Sequence, residues 1–203
     1  MKKTLAFLVT AALLLVAGCR VQVDKDSNGG DKNVKIDTPL GGLHVRSDNV
    51  SAADVGLPMY PGATLTNDDN SKSADIHFGF GEWQFRVKVV KYKTTDSQDK
   101  VLAFYQNALG RYGNVIRCQG GQAIGTPTTT QEGLTCSDDN NNSHVQVKTD
   151  MGQTDMGVSL KAGSRHHQHI VGIETSSGAG NTRFALVELQ LPAAVDKDSD
   201  KSQ

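Results

Sequence analysis

The constraint that most narrows the fold of this chain is an alternation of apolar and polar residues, with a period of two, that returns in one short segment after another. Ala74, Ile76, Phe78 and Phe80 fall on one face of an extended segment. Trp83, Phe85, Val87 and Val89 do so in the next, with Gln84, Arg86 and Lys88 opposite. Successive side chains of a strand point to opposite faces of a sheet, so each run offers one apolar face for burial. Gly81 and Glu82 separate the two runs, which predicts an antiparallel hairpin. After Val89 the apolar positions move to Val90 and Tyr92, the pattern of a bulge or a strand end. Alternation recurs at 33–37 and 43–46, around a Pro/Gly turn, which predicts an N-terminal hairpin within 33–50. It recurs again at 144–148 and 157–161, with short strand-like pieces at 114–118 and 133–136 and two longer strand-like runs at 168–174 and 183–191. Pro61-Gly62 suits the central pair of a type II turn.

Only one segment has the helical period. Val101, Leu102, Phe104, Tyr105, Ala108, Leu109 and Tyr112 follow the i, i+3, i+4, i+7 spacing of an amphipathic helix over about 97–112. Asp96 is the expected N-cap, Asp99 favours the positive end of the helix dipole, and Gly110 or Gly113 ends the helix. The apolar stripe is expected to cover the sheet face carrying Trp83 and Phe85. The fold class is therefore α+β: a mostly antiparallel β-sheet with one amphipathic helix packed on one face.

The N-terminus carries an address. Met1-Lys2-Lys3 is followed by an apolar run from Leu5 to Ala17, broken by Thr10, and by small residues at Ala17-Gly18. A basic start, an apolar centre and a small-residue exit make a secretory signal, and the run is too short for a permanent span of ~20 residues. Val16-Ala17-Gly18-Cys19 resembles the lipobox of bacterial lipoproteins, with valine in place of the usual leucine. The resemblance implies that the Cys19 thiol takes a diacylglyceryl group, that the signal 1–18 is cut away, and that the new amine is acylated. The sorting rule of some Gram-negative bacteria retains proteins with aspartate after the cysteine at the inner membrane. Arg20 stands there instead, so the resemblance implies the outer membrane. Residues 19–32 are mostly polar and read as a lipidated flexible tether, residues 33–192 as a single β-rich domain, and the charged stretch 193–203 as a disordered tail.

With Cys19 lipidated, Cys118 and Cys136 remain, an even count in an oxidising compartment, and they are expected to form a disulfide worth roughly 3 kcal/mol. Free buried thiols are the alternative, and the absence of a close C-x-x-C pair argues against a metal site there. Loss of Lys2 and Lys3 with the signal leaves 19 basic and 22 acidic residues, a net charge of −3 with neutral histidines. That balance argues against nucleic acid as a partner.

Leu57-Pro58-Met59-Tyr60-Pro61-Gly62-Ala63, a strand pair, and then Val101-Leu102-Ala103-Phe104-Tyr105-Gln106-Asn107-Ala108-Leu109 resemble a pattern in uncharacterised exported bacterial proteins: P-x-Y-P-G-A followed by V-x-x-F-Y-x-x-x-L. The likeness covers roughly residues 55–118 and implies a fold, with no reaction attached.

Among chemistry-bearing clusters, Arg165-His166-His167-Gln168-His169 is the most suggestive. In a strand His167 and His169 share a face and could bind zinc, nickel or copper, with Glu174 as a nearby carboxylate. A polar strand start or an exposed turn explains the same residues. The sequence has no G-x-S-x-G, H-E-x-x-H or phosphate-loop motif, and it assigns no catalytic residue and no cofactor. Gly120–125 reads as a mobile glycine-rich loop, and residues 138–142 as an Asx-rich turn rather than a calcium loop. The expectation is a lipid-anchored envelope protein with a non-enzymatic accessory or binding domain for a protein or small-molecule partner. The alternative is a metal-binding envelope protein using His166, His167 and His169.

Overall fold

A computed structural model describes residues 19–25, 31–39, 41–47, 50–66, 73–81, 83–139, 156–175 and 180–192. The expected signal 1–18, the strand expected at 144–148 and the tail 193–203 lie outside them. The strands are β1 (Arg20–Lys25), β2 (Asp31–Thr38), β3 (Gly41–Ser47), β4 (Thr64–Leu65), β5 (Ser73–Phe80), β6 (Trp83–Thr94), β7 (Ile116–Gln119), β8 (Gln122–Ala123), β9 (Met156–Gly163), β10 (His167–Glu174) and β11 (Thr182–Gln190). One helix, α1 (Gln98–Leu109), runs on into a 3-10 turn at Gly110–Tyr112. Among the described residues the architecture is a mostly antiparallel sheet with a single short helix against it. Strand order is β1-β2-β3-β5-β6-β11-β10-β9-β7-β8, with β4 pairing β6 ahead of β5.

Arg20–Lys25, expected within a flexible tether, is instead the edge strand, paired with β2 from Arg20↔Asp37 to Asp24↔Asn33. Val21 and Val23 supply the alternation that the polar composition of this segment masks. Across the N-terminal half of the sheet the register lines up whole ranks. Val21, Ile36, Leu43, Phe78 and Phe85 form one, and Val23, Val34, Val45, Ile76 and Val87 the next. The intervening ranks, Gln22-Lys35-His44-His77-Arg86 and Asp24-Asn33-Arg46-Asp75-Lys88, point to the other face.

Strand β6 is regular through Val89 and Val90, since its register with β5 and with β11 is unbroken there. The shift in apolar pattern marks a change in which face is buried. Phe85, Val87 and Val89 pack with Ala74 and Ala185 on one face. Val90 and Tyr92 lie on the other, with Phe184, Leu186, Val171, Ile173, Leu160 and Ala162. Helix α1 packs on this second face through Val101, Leu102, Tyr105 and Leu109, so the expectation that it covers Trp83 and Phe85 is corrected. The reason is length. At 12 residues β6 extends past the apolar odd-numbered run, and its last turns offer the helix even-numbered residues. The N-cap is Ser97 rather than Asp96. The Asp96 carboxylate accepts from Lys100 Nζ at 2.8 Å and from the Tyr60 hydroxyl at 2.9 Å instead.

Residues 50–63 carry little periodicity, yet Val50, Ala52, Val55, Leu57, Tyr60 and Ala63 are all buried beside the helix. Tyrosine hydroxyls pin this backbone. The Ala52 N–H donates to Tyr92, Tyr105 donates to the Pro58 carbonyl, and Tyr112 to the Gly56 carbonyl. The Pro61-Gly62 turn forms as expected, with the Ala63 N–H donating to the Tyr60 carbonyl and Gly62 at φ +74°.

Cys118, on β7, and Cys136 form a disulfide with Cα atoms 5.6 Å apart. Cys136 opens a 3-10 turn, and Gly133 and Thr135 make only isolated bridges, so 133–136 is not a strand. The glycines expected to form a mobile loop make a tight hairpin. Gly120 and Gly121 join β7 to β8 with φ of +58° and +78°, values that favour glycine and match a two-residue turn between strands.

Candidate metal centre

Three consecutive carbonyl groups hold three side chains in place where α1 ends over the sheet. The Asp54 carbonyl accepts from Lys88 Nζ at 2.7 Å, the Val55 carbonyl from His169 Nδ1 at 3.1 Å, and the Gly56 carbonyl from the Tyr112 hydroxyl at 2.5 Å. Gly56 sits at φ +75°, and a Cβ there would strike the Tyr112 hydroxyl. Glycine is therefore required for the backbone bend and for the approach of Tyr112. The Tyr112 ring stacks on His169 with centroids 3.6 Å apart and planes inclined by 15°.

These contacts fix the state of His169. A carbonyl only accepts, so Nδ1 carries the proton and Nε2 keeps its lone pair. That Nε2 is buried and has no hydrogen-bond partner. A buried acceptor left unpaired costs of the order of 1–3 kcal/mol. Asn33 Oδ1 and Gln168 Oε1 are also unpaired, but only the His169 atom faces an imidazole and a carboxylate. Burial, followed by the neighbouring His167, holds the His169 imidazole below its ordinary range despite the opposing pull of Glu188.

His167 and Glu188 complete the cluster. One ligand atom from each of His167, His169 and Glu188 lies within 4.8 Å of the others. His167 Nε2 is 3.0 Å from Glu188 Oε1, and the two imidazole centroids are 4.9 Å apart. Ligands on a tetrahedral zinc with bonds near 2.0–2.1 Å stand roughly 3.3 Å from one another, so the spacing of this first pair fits a metal once the proton that His167 Nε2 donates to Glu188 is displaced. Glu188 Oε2 accepts from Lys88 Nζ at 2.6 Å. Burial alone would push the Glu188 carboxyl up, but Lys88 and then His167 outweigh it and hold the group below the usual carboxylate range. Arg111, Glu132 and Gly163 join Tyr112 and the two histidines around a shallow cleft through which the cluster meets solvent. Gly163 (φ +99°) has no room for a side chain, because a Cβ would strike the His167 carbonyl.

The sequence reading placed His167 and His169 on one face, and the structure brings them together. His166 lies in the turn ahead of β10, where its carbonyl accepts from the Leu191 N–H at 2.8 Å, and it stands outside the cluster. Glu174 is replaced as the carboxylate. It is a distant strand end, 3.7 Å from Lys91, whereas Glu188 directly opposes His169 across the β10–β11 ladder. A signal for Glu188 did exist: it falls on the face of β11 that carries Phe184 and Leu186, where a carboxylate needs a partner. In the sequence Lys88 stands only among the polar residues, Gln84 and Arg86, opposite the apolar face of its strand. Cys19 is exposed and immediately precedes β1. Residues 138 and 139 end the 3-10 turn after Cys136, and 140–142 lie outside the described residues. No helix among the described residues is long and apolar enough to cross a membrane. No protein-family model, no curated protein and no solved structure matches the chain.

Proposed function

We propose that this chain is a lipid-anchored protein of the cell envelope, on the outer rather than the inner membrane, whose body is a non-enzymatic binding domain for a divalent transition metal. The observation that carries the metal reading is the buried, unpartnered Nε2 of His169, aimed into a group that already holds an imidazole and a carboxylate. Two neutral imidazoles and one carboxylate suit zinc or copper, and open positions remain for water or a partner's ligand. The groups that hold the ligands support the same reading. The Val55 carbonyl sets the His169 tautomer, and Lys88 orients the carboxylate. Lys88 also repels an incoming cation, so binding would be reversible rather than structural. The lipid anchor rests on the Val16-Ala17-Gly18-Cys19 resemblance, and the Cys118–Cys136 disulfide is in keeping with an oxidising compartment.

Calorimetric titration of the purified protein with zinc, and separately with copper, tests the metal reading. One site per chain is expected, lost in His169→Phe, which keeps the stack on Tyr112 but removes the ligand. Failure of both metals to bind or to raise the melting temperature would refute it. The anchor is tested by the intact mass of protein from its own host: an unmodified Cys19 or an uncut leader removes that part of the proposal.

A further inference from the structure

We infer that the apolar face of the β1–β2–β3–β5–β6 wing lies against the surface of the bilayer that carries the anchor. The inference deepens the lipid-anchor reading and rests on it. The two apolar ranks described above contain no charged side chain, whereas the alternate ranks on the opposite face carry Lys35, Arg46, Asp75, Arg86 and Lys88. This apolar face is not sealed. Val21 is 61 % exposed, Val23 42 %, Phe78 41 % and Phe80 52 %. A sheet with one charged and one exposed apolar face needs an occupant for the latter.

The register identifies the occupant. Arg20 aligns through Asp37, Gly42 and Gly79 with Gln84, so the rank beyond it brings Cys19 to the same sheet end as Phe80 and Trp83. Continuing the strand alternation also puts Cys19 on the face of Val21 and Val23. Strands are spaced ~4.8 Å apart, so the aromatic tip stands roughly 15–20 Å from the lipidated residue. β1 begins one residue after Cys19, which leaves no spacer to lift the body away from the headgroups. Acyl chains at Cys19 therefore hold this end of the sheet at the bilayer. Trp83, edge-on to Phe78 with centroids 5.4 Å apart, supplies the amphipathic ring that favours an interfacial position.

Trp83 is the chain's sole tryptophan and reports its own surroundings. The lipidated protein is reconstituted into phosphatidylethanolamine and phosphatidylglycerol vesicles with brominated acyl chains. Trp83 emission is expected to shift to the blue and lose most of its intensity, and acrylamide in the aqueous phase should quench it little. Joint replacement Phe78→Asp and Phe80→Asp should restore the emission while the protein still floats with the vesicles. Trp83 emission untouched by the brominated chains overturns the inference, whether acrylamide reaches the ring or a second copy of the chain shields it. Intact mass of the same sample separates the two proposals. If Cys19 proves unmodified, the anchor reading falls alone, and the same vesicles are added to the unlipidated protein. Quenching then sustains the membrane-facing wing, and its absence overturns it.

Discussion

Replacing Lys88 by methionine keeps most of the aliphatic stem of that side chain and removes its charge. The Lys88 and Glu188 side chains are 16 % and 11 % exposed, and their charged atoms are 2.6 Å apart. Removing one partner from so buried a pair leaves an uncompensated charge, at a cost of about 3–5 kcal/mol. His167 still donates to the other carboxylate oxygen, which places the expected loss at the lower end, ~3 kcal/mol. For a chain of this size each kcal/mol moves the melting temperature by roughly 2–4 °C, so Lys88→Met should melt about 6–12 °C lower at neutral pH. The pH dependence has a definite sign. In the wild type the Glu188 carboxyl is held below its ordinary range, so its contribution is complete above the unfolded-state value and drains away as pH falls through the folded one. In Lys88→Met the ammonium no longer opposes burial, the carboxyl takes up its proton at higher pH, and the deficit against the wild type narrows in mild acid. Zinc also replaces the missing charge, so saturating zinc should raise the melting temperature of Lys88→Met more than that of the wild type. Differential scanning calorimetry of the wild type, Lys88→Met, Glu188→Gln and the double variant, at neutral and mildly acidic pH, measures all of this. The double variant buries no carboxylate charge and should recover most of the loss. A Lys88→Met loss under about 1 kcal/mol, the range of an exposed pair, would refute the reasoning. So would a double variant no more stable than Lys88→Met.

Three further outcomes follow from the same structure. The lowered folded-state value of His169 means that the unfolded chain binds the proton more readily, so stability should be full above the ordinary imidazole range and decline as pH falls through the folded value; His169→Phe should flatten that limb of a melting-temperature profile. Cys118 and Cys136 are 18 residues apart in sequence, a loop whose closure contributes roughly 3 kcal/mol, so chemical denaturation with and without reductant should differ by about that amount. Phe184, fully buried with its ring 5.7–6.2 Å from those of Tyr60, Tyr92 and Tyr105, should cost about 3–5 kcal/mol when replaced by alanine, read as a lower urea midpoint.

Much of the sheet was legible because alternation is a local property. The pairs β2–β3 and β5–β6 are read directly from period-two runs and the turns between them, and the one 3.6-period segment is the one α-helix among the described residues. What escaped reading depends on pairing over long sequence distances. The helix covers the even-numbered face of β6 because the strand runs on unbroken past Val89, and a window around Val89 reads equally well as a bulge until the pairing with β5 and β11 is known. The strand at Arg20–Lys25 was hidden because its edge position lets three of its six residues carry charge. The candidate site divides in the same way. The two histidines share a face by simple alternation, whereas Glu188, Lys88 and the carbonyls of residues 54–56 arrive from three separate stretches of chain. The 50–63 segment has no period to detect, since it is fastened by tyrosine hydroxyls reaching from β6, α1 and the 3-10 turn that follows.

The place of β11 in the strand order has a consequence for the order of assembly. This strand, the last in the described chain, inserts between β6 and β10, so the halves of the sheet share no ladder until residues 182–190 are present. Its partners on β6 precede it by 88 to 104 residues, and contacts so distant along the chain are slow to form. A polypeptide emerging N-terminus first would expose an incomplete sheet, with the edges of β6 and β10 open, throughout its passage. Closure at the final step delays the native state until residues 182–190 can take their place between β6 and β10.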